Sequence, residues 1–71
     1  MKNDMDLIDD AYEDNIKALF KTFLTNIIGA KAAKDPKAAA VEAEHAFQNG
    51  VRLAKSTRDR AKQLLGPGLV A

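Results

Sequence analysis

The stretch "AKDPKA", residues 33–38, is the one strong break in an otherwise helix-forming chain. Asp35 is a residue type whose side-chain oxygen caps a helix N-terminus, and Pro36 then falls at the first helical position, where a missing N–H costs nothing. A second helix is therefore predicted from Pro36 to about Leu65, where "GPG" at 66–68 supplies a terminating glycine and a proline that cannot continue the turn. Ahead of the break, a first helix is predicted over about residues 6–33. Asp4 or Asp6 serves as its cap, and Asp9 and Asp10 lie favourably toward the positive end of the helix dipole. Gly29 offers an earlier end, but "AKAAK" after it is good helix sequence. The turn is then 34–35 and the tail 66–71.

Two long helices joined by so short a turn fold back antiparallel. Nothing in the chain alternates with period two for long enough to make a strand, so the expected class is all-α, with residues 1–71 forming a single helical-hairpin domain.

The second helix carries a regular seam. Ala40, Ala43, Phe47, Gly50, Ala54, Thr57, Ala61 and Leu64 are spaced alternately by 3 and 4, and most are small, so a neighbouring helix can approach closely. Phe47, Gly50 and Ala54 are the expected packing centre. Gly50 in mid-helix costs about 1 kcal/mol against alanine unless close approach returns it in packing.

The first helix is bulkier. Ile8, Tyr12, Ile16, Leu19, Phe23, Ile27 and Ala30 form one stripe, and Phe20, Leu24 and Ile28 form a second, displaced by about 100° at 100° per residue. One partner helix cannot cover both. The expectation is a homodimer, two hairpins packed into a four-helix bundle with Phe20, Phe23, Leu24, Ile27 and Ile28 at the contact. Another helical protein is the alternative occupant of that surface.

Charge adds a register argument. Residues 1–14 hold Asp4, Asp6, Asp9, Asp10, Glu13 and Asp14 against Lys2, whereas residues 52–62 hold Arg52, Lys55, Arg58, Arg60 and Lys62 against Asp59. In an antiparallel hairpin turning near residue 35, the acidic arm runs beside the basic one. Each exposed pair contributes only about 0–1 kcal/mol, but the pattern disfavours slipped pairings.

The same five bases define a second functional reading, phosphate contacts to RNA or DNA from a long helix duplicated in a dimer. Such a molecule resembles in outline the plasmid RNA-binding regulator called Rop, a likeness of shape and not of motif. The formal net charge of +1 gives this reading no general support.

A third reading starts from the only histidine. Glu42 and His45 stand three apart, and with Glu13 they resemble half of a ferritin-like carboxylate site, which would imply a metal held by converging oxygen and nitrogen ligands. On a helical wheel centred on Ala43, however, Glu42 lies at about −100° and His45 at about −160°, both away from the seam. Glu13 should run beside position 57, about 20 Å from them at 1.5 Å per residue. No metal or other cofactor is expected.

Catalysis has little to work with. The chain has no cysteine, its one serine, Ser56, lies far from His45, and it contains no nucleophile elbow or phosphate-binding glycine loop. The expected function is a non-catalytic interaction or assembly module. Absence of cysteine favours a reducing, cytoplasmic setting. "MKNDMDLIDD" reads as neither a secretory leader nor a lipidation site, so the whole chain is the expected mature form. The most apolar segment, "IKALFKTFLTNIIGA", is too short and too often interrupted to span a bilayer.

Overall fold

The computed structural model describes residues 2–66, and they form two helices, α1 (Asp4–Ala30) and α2 (Pro36–Leu65), packed against each other as a hairpin. Asp35 caps α2 as expected, its Oδ1 accepting from the Ala38 N–H at 3.2 Å, with Pro36 in the first turn. The cap of α1 is Asn3, whose Oδ1 accepts from the Asp6 N–H at 2.9 Å. Asp4 and Asp6, expected as caps, lie instead within the first turn. Their carboxylates still oppose the helix dipole there.

α1 ends at Ala30, three residues before the predicted boundary. The Ala32 N–H donates to the Gly29 carbonyl and the Ala33 N–H to the Ala30 carbonyl, both at 3.1 Å, three-residue closures that tighten the chain out of the helix. Helix propensity in "AKAAK" yields because residues 31–35 must bring the chain round to the Asp35 cap. At the far end Gly66 is extended, with φ −79° and ψ 175°. It precedes Pro67, and the residue before a proline is driven out of the helical region. The tail predicted beyond it lies outside the described residues.

Between the helices the predicted seam is present. Phe23 of α1 stacks on Phe47 of α2, ring centroids 4.8 Å apart and planes 24° from parallel. A Cβ built on Gly50 would stand 2.6 Å from Leu19 Cδ2, so the glycine allows an approach that no larger residue permits unmoved. Ala43 and Ala54 are buried against α1, and Ala30 is buried at its end. Thr57 and Leu64, also assigned to the seam, are exposed. A strict seven-residue repeat drifts about 20° per turn pair on a straight helix, so by Leu64 the seam has rotated off its partner. Arg58 and Lys62, half-buried, take the inward positions there.

The hairpin is one layer thick. Its principal extents are 56 × 22 × 7 Å, and the only buried apolar side chains among the described residues are the three alanines. Most domains bury their core between packed layers, whereas among the described residues the two helices pack only on each other. The radius of gyration, 16.4 Å, compares with about 11 Å for a compact chain of this length.

Candidate assembly interface

Each side of this slab has its own character. Phe20, Leu24 and Ile28 are 54%, 48% and 62% exposed, one stripe along the turn-proximal half of α1. The structure divides the five residues assigned to an intermolecular contact. Phe20, Leu24 and Ile28 face solvent, whereas Phe23 and Ile27 are half-buried in the first stripe, Phe23 committed to Phe47.

The opposite face is a shallow trough between the helices. Toward the open end, a groove of about 490 Å³ is lined by Ala11, Asn15 and Leu19 of α1 with Leu53, Thr57 and Ala61 of α2, among others. Toward the turn, one of about 420 Å³ is lined by Asn26, Gly29, Ala39, Glu42 and Ala46, with the buried Ala30 and Ala43 at its floor. On the α1 wheel, Ala11 and Asn15 fall on one side of Leu19 and Phe20 and Leu24 on the other, at 100° per residue. Leu53, 67% exposed at the groove edge, was missed as a surface residue in the sequence reading. The signal was present in its wheel angle, about −80° from Ala43.

The charged arms lie alongside one another as the register argument requires. Lys62 Nζ is 2.5 Å from an Asp9 carboxylate oxygen. The Arg58 guanidinium sits 4.4 Å from the centroid of the Tyr12 ring and contacts the Asp59 carboxylate at 2.9 Å. Hydrogen bonding to Asp59, before any longer-range attraction, holds its proton affinity above the ordinary arginine range. Lys2 likewise pairs with Asp10, which raises the lysine above its usual value, chiefly through the hydrogen bond.

Of the five bases assigned to phosphate contact, Arg58 and Lys62 are therefore engaged with carboxylates, and Arg60 donates to Gln63 Oε1 at 3.3 Å. Arg52 and Lys55 are exposed. On the wheel, Arg52, Lys55 and Arg60 fall at about 180°, 120° and −100°, spread over the outer surface and not gathered on one edge.

Glu13, Glu42 and His45 are all exposed, and among the described residues no three histidine, cysteine or acidic side chains gather closely enough to hold a metal ion. Neither described helix is long and apolar enough to cross a membrane. The chain matches no family model, no curated protein and no solved structure. The exposed stripe of α1 and the geometry around it are what a functional reading has to rest on.

Proposed function

We propose that this chain is a non-catalytic helical assembly module that works as a homodimer, two hairpins closing a four-helix bundle through the Phe20, Leu24 and Ile28 stripe of α1. The observation that carries the reading is the surface left uncovered. The chain exposes 5630 Å², against about 4,300 Å² for a compact monomer of its 7.7 kDa mass.

Pairing accounts for the difference. By the same scaling a compact body of twice the mass exposes about 7,200 Å², so two hairpins condensing fully would cover about 4,000 Å² in total. That is the range of obligate homodimers, whose interfaces resemble a domain core cut in half. A second hairpin is the missing layer. A cysteine-free composition fits action in the reducing cytoplasm.

The test is sedimentation equilibrium of the wild-type chain beside Leu24→Glu and, as a surface control, Lys55→Glu. Wild type and control should sediment as dimers, and Leu24→Glu as monomer or unfolded chain, because a buried carboxylate at a two-fold would be met by its own copy. A folded, dimeric Leu24→Glu would sink the interface. A folded wild-type monomer would reserve the stripe for a different protein.

A further inference from the structure

We propose that Asn49 and Gly50 form a latent modification site, at which the asparagine cyclises onto the glycine nitrogen and converts to isoaspartate when α2 opens at the seam. The inference is independent of the dimer reading. It comes from what the packing of Leu19 asks of the sequence.

The close approach of Leu19 favours glycine at position 50, since a Cβ there would stand 2.6 Å from Leu19 Cδ2. Glycine is also the residue that least hinders attack by its own backbone nitrogen on the side chain before it. Asn49 is the only asparagine in the chain followed by glycine. Asn3 precedes Asp4, and Asn15 and Asn26 precede the β-branched Ile16 and Ile27. Asn49 is exposed, so water reaches its amide.

The chemistry needs only water. The Gly50 nitrogen gives its proton to solvent and bonds to Asn49 Cγ, and the side-chain nitrogen leaves as ammonia. Water then opens the succinimide ring at either carbonyl. One product is aspartate, and the other is isoaspartate, in which the main chain runs through Cβ. The net change is ammonia exchanged for water, with nothing oxidised or reduced.

Folding blocks the first step in two ways. Residues 46–50 lie within α2, so the Gly50 N–H is held by the Ala46 carbonyl four residues back. A helical ψ of about −42° also keeps that nitrogen off Asn49 Cγ. Both constraints lift only when this part of α2 opens, which parts Gly50 from Leu19 and disturbs the Phe23–Phe47 stack. The rate then follows the open population. Isoaspartate adds one main-chain atom between Phe47 and Gly50, so the two contacts no longer share a register on α2. A modified chain cannot close the seam as before.

The test holds purified wild-type chain in warm, mildly alkaline buffer and follows residue 49 by peptide mass spectrometry, with fragmentation separating isoaspartate from aspartate. The same chain unfolded in urea should react at least about tenfold faster. Phe47→Ala should react at least about tenfold faster than wild type without urea. Asn49→Gln should give no product on that timescale. The isolated isoaspartyl chain should melt below Asn49→Asp, which carries the same charge without the extra main-chain atom. Equal wild-type rates with and without urea would overturn the gating, as would a wild-type rate in a Phe47→Ala chain that urea titration shows to be destabilised. Isoaspartyl and Asn49→Asp chains that melt together would overturn the effect on the seam.

Discussion

Gly50 offers the sharpest quantitative check on the hairpin, because two effects of known sign oppose each other there. Replacing it by alanine gains about 1 kcal/mol of helix propensity. The new methyl would stand 2.6 Å from Leu19 Cδ2, while the other Leu19 carbons at 3.5 and 3.6 Å are ordinary contacts. Overpacking of this kind costs about 1–3 kcal/mol. The colliding atom is the far end of a half-buried side chain that can rotate, which favours the lower part of that range.

Gly50→Ala should therefore be neutral or destabilising by up to about 2 kcal/mol in the wild-type background, and stabilising by about 1 kcal/mol once Leu19→Ala has cleared the space. The difference is a coupling energy of about 1–3 kcal/mol, measurable by a double-mutant cycle. Urea unfolding followed by circular dichroism at one fixed protein concentration gives all four stabilities on a common footing, as the proposed dimer would make apparent stability depend on concentration. If Gly50→Ala stabilised both backgrounds equally, the helices would not approach at Gly50, and the seam would be elsewhere. Gly50→Leu is the coarse version of the same test and should disrupt the hairpin.

Other expectations follow from single contacts. Gly29→Ala meets nothing within 4 Å and has no unusual backbone to relieve, so thermal unfolding should show a gain of about 0.5–1 kcal/mol. Asp35→Ala removes the cap on α2 and should cost about 1 kcal/mol by the same measurement, while Asp35→Asn should retain most of it. Phe47→Ala leaves Phe23 without its stacking partner and should cost about 2–3 kcal/mol, below the value for a fully buried ring because both rings are half-exposed. Asp9→Asn breaks the pair between an exposed carboxylate and the half-buried Lys62 and should change stability by no more than about 1 kcal/mol, an effect that fades in 0.5 M salt.

The break at Asp35-Pro36 and the two apolar stripes made the hairpin and its register legible, because capping chemistry and helical periodicity are local. The start of α1 was not, since Asn3, Asp4 and Asp6 are all competent caps and only the folded backbone selects among them. Its end failed for the opposite reason, a turn whose path is set by α2 and not by the propensity of residues 30–34. The seam was read correctly over Ala40–Ala54 but carried too far, since heptad spacing persists in the sequence after the straight helix has rotated it away. Phe20, Leu24 and Ile28 could be placed outside the hairpin from spacing alone. Phe23 could not be assigned to one side, as its angle lies near both stripes and the ring of Phe47 decides.

The contacts between α1 and α2 also imply an order of events. The Phe23–Phe47 stack closes the shortest loop, the Leu19–Gly50 approach a longer one, then the Tyr12–Arg58 contact, and the Asp9–Lys62 pair the longest. Loop-closure entropy rises with that length, so the hairpin zips from its turn and frays from its termini. Phe20, Leu24 and Ile28 lie on the half that forms first. The exposed apolar stripe is thus assembled before the charged arms have met, and a half-formed hairpin already displays it.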